Sequence, residues 1–169
     1  YDAAGNESTS SNTASETTTG VACQSSTICS TSFEQELDCW ILWASNGTYG
    51  YKRGTAYDGT YSLEMKNYSA ISITPVDLSS NSSLDIEFWY LTNGYESSDN
   101  LILQYRDNGG DWENLQSFSR SEGSWQQVTY NLSGASYMTS AAEIRILGNA
   151  NQGNDKLYID LSTVTSNCD

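Results

Sequence analysis

Nine short runs of alternating apolar and polar residues leave this chain little to fold into except β-sheet. They are "CWILW" (39–43), "TYSLEMK" (60–66), "SAISIT" (69–74), "LDIEFWYL" (84–91), "NLILQYR" (100–106), "WENLQSF" (112–118), "WQQVTYNL" (125–132), "AEIRIL" (142–147) and "KLYIDLSTV" (156–164). A strand points successive side chains to opposite faces, so Leu84, Ile86, Phe88 and Tyr90 share a core face while Asp85, Glu87 and Trp89 face away. The runs are divided by "NGTYG", "RDNGGDW" and "NQGND", which are turn chemistry, and no segment carries an amphipathic helical period. Strands this short, spaced by about ten residues, predict an all-β fold, an antiparallel two-sheet jelly-roll sandwich. Five Trp and twelve Tyr in 169 residues supply the core of one such domain.

Residues 1 to 20, "YDAAGNESTSSNTASETTTG", contain no large aliphatic side chain. The division is therefore an extended, low-complexity Ser/Thr-rich tail over 1–22 and a sandwich over 23–169. By composition the tail is a linker, a glycosylated stalk or a disordered segment. It can also lie along an exposed sheet edge as an added strand, because that pairing draws on backbone hydrogen bonds and not on side chains. The expectation is a strand donated to a neighbouring subunit.

Asp and Glu number 21 against seven Lys and Arg, a formal charge of −14. Such a field repels phosphate backbones and anionic membrane surfaces, which excludes nucleic acid as a partner. It is compatible with cations, with neutral polysaccharide, or with solubility alone. No run of about 18 apolar residues could form a membrane-spanning helix. The chain begins at Tyr1 without Met, as a mature end does after signal removal. Four Cys in a Ser/Thr-rich acidic chain predict two disulfides and an extracellular, secreted or cell-surface setting, with three connectivities open on sequence alone. Sequons stand at Asn6, Asn46, Asn67, Asn81 and Asn131, which are candidate glycosylation sites.

"CSTSFEQELDCW", then "FWY" inside a strand, a Trp within "EGSWQQVTYNLS", and the ending "YIDLSTVTSNC" occur in the order and spacing of one family. Over roughly residues 29 to 168 the chain resembles the MAM domain and the looser MAM-like sandwiches of secreted proteins. The resemblance implies an extracellular, non-catalytic sandwich for adhesion and oligomerisation, with its first cysteine pair bracketing an FE strand. Carried over, that pair is Cys29 and Cys39. The family ties its terminal Cys to one just before the FWY strand, where this chain has "SSLDIEFWY" and no Cys. Cys168 is then left with Cys23. The resemblance further implies a structural calcium between the FE glutamate and the aspartate of the last strand, here Glu34 and Asp160, with Asp58 as a third ligand. A hard cation takes several oxygens at about 2.3–2.6 Å. The chain has "IDL" where the family has two successive Asp, which removes one oxygen, and solvated edge carboxylates are the plainer reading of the same residues.

The chain contains no His, so Ser-His-Asp and Cys-His machinery and imidazole zinc sites are impossible. "DNGGDW" resembles the core of the Asp-box hairpin, with Asn108, Gly109 and Gly110 as the turn and Trp112 as its packing residue. An enzyme is not expected. The main functional expectation is a self-associating structural or adhesive subunit of an extracellular fibre or matrix, linked through the tail; a heterologous contact of that kind propagates into a filament unless it closes. The alternative is a carbohydrate-binding module, free or appended to a secreted enzyme, with polysaccharide as partner. Its sugar-stacking candidates are Trp89, Trp43 and Tyr95, with Tyr49, Tyr51 and Tyr137 behind them, although tyrosines this frequent are more often half-buried strand residues.

Overall fold

A computed structural model of the chain describes residues 23–44 and 47–168, so the tail expectation lies outside the described residues. Among the described residues there are eleven strands and no helix: β1 (Ser26–Thr31), β2 (Trp40–Ala44), β3 (Thr48–Arg53), β4 (Tyr61–Lys66), β5 (Ser69–Ile73), β6 (Ser83–Asn93), β7 (Asn100–Asp107), β8 (Glu113–Ser119), β9 (Gln126–Ser133), β10 (Ala142–Asn149) and β11 (Lys156–Asn167). They form two antiparallel sheets. Sheet A runs β3-β4-β11-β6-β9 with β1 also paired to β11, and sheet B runs β2-β5-β10-β7-β8. The jelly-roll sandwich expected from the alternating runs is the observed architecture.

The alternation does the folding. In β6, Leu84, Ile86 and Phe88 are fully enclosed and Tyr90 nearly so, facing Leu101, Leu103, Ile144 and Ile146 of sheet B in one core. Asp85, Glu87 and Trp89 stand on the other face. Burying each large apolar side chain is worth about 1.5–3 kcal/mol, which is why a one-residue slip of register is not tolerated.

Two strands were not readable as runs. β3 occupies "TYGYKR", whose Gly50 and mixed exposure hide the period, and part of it reads as a turn. β1, "STICST", is mostly polar because half of it faces solvent at the sheet margin. The FE pair is also not in a strand. Phe33 and Gln35 take left-handed backbone conformations (φ 53° and 73°) just beyond β1, and Phe33 drops into the core with no exposed surface.

β11 holds the sandwich together by changing partners. Its first half pairs with β4 through Lys156↔Lys66 to Ile159↔Leu63, and its second half with β1 through Thr31↔Ser162 to Ser26↔Ser166. Between the halves lies a bulge against β6, between Asp160 and Thr163, with Leu161 at φ 42°. Such an extra residue shifts the side-chain phase. Leu161, which uninterrupted alternation would put on the core face with Leu157 and Ile159, is therefore part-exposed, and Val164 resumes the core.

Cys29–Cys39 forms as the resemblance implied, and Cys168 pairs with Cys23, the cysteine left where the chain departs from the family pattern. Cys23 joins Cys168 across a separation of 145 residues, with Cα atoms 5.8 Å apart, and Cys29 joins Cys39 with Cα atoms 5.6 Å apart. Among the described residues no helix is long and apolar enough to cross a membrane.

Candidate functional site

The outer face of sheet B carries a line of side chains set by strand register. Ile41 pairs with Ser72, Ser72 with Arg145, Arg145 with Gln104, and Gln104 with Asn114, so one row crosses all five strands. The residues flanking these in sequence, Ile71, Ile144, Ile146, Leu103 and Tyr105, point inward. Three members of the row are tied into a relay. Arg145 Nε donates to Gln104 Oε1 at 2.7 Å, and Gln104 Nε2 donates to Asn114 Oδ1 at 2.7 Å. Gln104 is only 6% exposed, so its amide is fixed and both its polar ends are satisfied, as a buried amide requires.

Beside the row, Arg106 binds Glu143 through a two-pronged ion pair, Nε to Oε1 at 2.8 Å and Nη2 to Oε2 at 2.7 Å. Trp112 closes this end of the face: the Arg106 guanidinium lies 4.5 Å and that of Arg145 4.1 Å from its ring centroid. Burial, with Arg106 nearby, lowers the Arg145 pKa from its ordinary value. On the other side of the row, Ala70, Leu147 and Ile102 make a small apolar patch apart from the main core, with Tyr68 exposed nearby in sequence. The face thus offers an aromatic ring, fixed amides, a guanidinium and an apolar strip within four neighbouring strands. Polar groups held in place next to flat apolar surface are what a sugar, with its polar rim and apolar ring faces, requires.

The opposite face, on sheet A, is partly roofed. Residues 54–61 fold across it, and Tyr57 stacks on Trp89 with ring centroids 3.7 Å apart and planes 12° from parallel, while Trp125 meets Tyr57 edge-on at 6.3 Å. Trp89 therefore already has an aromatic on it, and no row of coplanar rings is formed there. Tyr95 is a correction: at 3% exposure it belongs to the core, where burial, reinforced by Asp99 and Asp155, pushes its hydroxyl pKa up. Backbone register puts Trp43 opposite Ala70 in sheet B, but its side chain lies outside the described residues.

The same loop is where Glu34 and Asp160 meet. Asp160, without exposed surface, accepts from the Tyr57, Asp58 and Leu161 amides at 2.8, 3.2 and 2.8 Å. Glu34 Oε1 accepts from the Thr60 and Tyr61 amides at 2.7 and 2.9 Å. A Cβ at Gly59 would stand 2.2 Å from that oxygen, and its φ is +70°, so only glycine lets the carboxylate approach. Burial raises the Asp160 pKa against the pull of its three amides, with Glu34 adding to the rise. Two of the three expected calcium ligands thus converge on one loop. Asp58 joins through its backbone amide, and the three carboxylates do not form a close group. Among the described residues the close acidic group is instead Glu96, Asp99 and Asp155, where Asp99 accepts from the Glu96 amide and Asn151 and Asp155 from the Gln152 amide.

Of the sequons, Asn6 and Asn46 lie outside the described residues. Asn67 sits in the β4–β5 turn at φ 57°, and Asn131 is exposed on β9 with its amide donating to Asp85. Asn81 turns its amide onto the Cys23–Cys168 bridge and the Asn167 carbonyl, which is not the free nitrogen a glycan needs.

No known family profile matches the chain, and no curated protein matches it either. Solved structures do. The CBM22-1 xylan-binding domain of Paenibacillus barcinonensis Xyn10C is similar over 85% of this chain and 96% of its own, with TM-score 0.62 and 14% identity. The C-terminal family 22 carbohydrate-binding module of Clostridium thermocellum Xyn10B covers 83% and 92%, with TM-score 0.63 and 16% identity. The K3 cleaved adhesin domain of Lys-gingipain from Porphyromonas gingivalis covers 84% and 99%, with TM-score 0.64 and 12% identity. At these identities the likeness is one of fold.

Sequence reasoning missed Arg145, Gln104, Asn114 and Glu143, and gave Trp112 only a packing role. A signal was available. Two of only seven cations fall on outward positions of adjacent strands, but their adjacency depends on β7 pairing with β10, 35 residues away in sequence, which no local pattern reveals.

Proposed function

We propose that this chain is a non-catalytic, extracellular carbohydrate-binding module whose ligand lies across the outer face of sheet B. The observation that carries the reading is the Arg145–Gln104–Asn114 relay, fixed on three neighbouring strands beside the Trp112 ring. The xylan-binding domain and the family 22 carbohydrate-binding module that share this fold support it, and so do the two disulfides, which suit an oxidising compartment. The ligand class is polysaccharide. The self-association reading, with its MAM-like precedent, ranks second; the adhesin domain among the structural neighbours favours it, while the tail it depended on lies outside the described residues.

The test is affinity electrophoresis through gels containing soluble xylan and other plant polysaccharides. The wild-type chain is expected to be retarded by at least one of them. Trp112→Ala should weaken that retardation about 30-fold, the size of losing one aromatic contact of about 2 kcal/mol, while Trp89→Ala should leave it in place. Equal loss in Trp89→Ala with none in Trp112→Ala would move the site to the Tyr57–Trp89 face.

We also propose that Glu34 and Asp160, with the loop they hold, bind calcium, which would offset the two neighbouring negative charges there. Saturating calcium should raise Tm by about 5 °C over chelator-treated protein. An unchanged transition removes the site.

A further inference from the structure

The relay on sheet B has a direction, and the direction selects a ligand. Each acceptor inside it is used: Gln104 Oε1 takes the Arg145 Nε–H and Asn114 Oδ1 takes the Gln104 amide hydrogen. The relay's remaining capacity is weighted towards donors, the Asn114 amide at one end and the two terminal nitrogens of Arg145 at the other, against one unused lone pair on each amide oxygen. A hydroxyl-bearing sugar can use such donors, but it brings as many donors as acceptors. A carboxylate brings acceptors alone.

The charges point the same way. In a chain with 21 acidic and seven basic residues, no carboxylate among the described residues forms an ion pair with Arg145. It donates to the Gln104 oxygen and lies over the Trp112 ring. Arg106, one strand away, is neutralised by Glu143 at 2.7 Å, so the pair contributes no net charge and the face keeps one positive charge at Arg145. A guanidinium stacked on an aromatic ring, whose terminal nitrogens donate to no other described residue, has the planar fork that takes a carboxylate through two parallel hydrogen bonds. The overall charge of −14 acts over a distance that salt screens within about 8 Å at physiological ionic strength, so it slows approach more than it alters this contact.

Resting on the carbohydrate-binding reading above, we infer that the sheet B face selects a uronic-acid-bearing polysaccharide, with the uronate carboxylate on Arg145 and the adjoining sugar ring on Trp112. The neutral part of the chain lies along the Ala70, Leu147 and Ile102 strip.

Isothermal titration calorimetry at 150 mM salt tests this with two matched pairs of probes. One is a xylo-oligosaccharide bearing a glucuronic acid branch against the same compound with that carboxyl reduced to the alcohol, and the other is an oligogalacturonate against its carboxyl-reduced form. The acidic member of at least one pair should bind roughly tenfold tighter or more, the size expected of one charge-assisted contact. In Arg145→Gln the ratio of acidic to reduced affinity should fall to about one. In Arg145→Lys, which keeps the charge and loses the fork, it should lie between; this variant carries the test should Arg145→Gln fail to fold. Equal binding of both members by the wild type, or an unchanged ratio in the folded variants, overturns the uronate inference and leaves sugar binding standing. Binding of no probe overturns both.

Discussion

Replacing Cys23 and Cys168 together by serine is expected to lower the unfolding free energy by about 4–5 kcal/mol. The bridge closes a loop of 145 residues, and in the chain-entropy account its effect grows with the logarithm of that length. It also fastens the end of β11, the strand that pairs with β4, β6 and β1 in turn. The Asn81 amide that contacts both sulfurs loses its partners with them. The Cys29–Cys39 bridge spans a separation of only 10 residues, so its removal should cost less, about 3 kcal/mol by the same relation. Guanidinium unfolding of the two double-serine proteins measures both. Equal losses would mean that local strain, not loop length, governs these bridges.

Phe33→Ala should cost about 3–5 kcal/mol, as for other fully buried aromatics. Phe33 has no exposed surface and is among the largest enclosed side chains, yet its backbone is left-handed at φ 53°, a conformation a bulky residue adopts only where its surroundings require it. Its ring is the anchor. Glu34 follows directly and reaches the Thr60 and Tyr61 amides from that anchor, so the loss should extend beyond stability: the 54–61 loop should loosen, and Tyr57 should leave Trp89. Chemical denaturation gives the first effect and tryptophan fluorescence in native buffer the second. A variant of near wild-type stability would show that the segment is held by the adjacent Cys29–Cys39 bridge and not by the ring.

The fold was legible because its signal is local. Alternation along "LDIEFWYL" or "AEIRIL" states which residues are enclosed before any partner strand is known. β1 and β3 escaped because strands at a margin, or interrupted by glycine, do not alternate. The bulge at Leu161 escaped because nothing in "YIDLSTV" marks where the phase shifts. The candidate site was less legible still. Trp89 was singled out correctly as outward, but whether an outward ring is open depends on a loop thirty residues earlier, and Tyr57 covers it. Tyr95, a sugar-stacking candidate by sequence, is core. Arg145 and Gln104 form one feature only through strand pairing, which is a property of the sheet and not of either segment.

Glycan lying on sheet B leaves a mark on that sheet's backbone. Backbone amide shift mapping by NMR during titration with xylohexaose, and with a glucuronic-acid-branched xylo-oligosaccharide, addresses it residue by residue. Perturbations should concentrate at Ile102–Arg106, Trp112–Ser117 and Glu143–Leu147, with the Trp112 indole among the largest. Perturbations confined to Tyr57, Trp89 and Gln126–Asn131 would place the ligand on sheet A and contradict it.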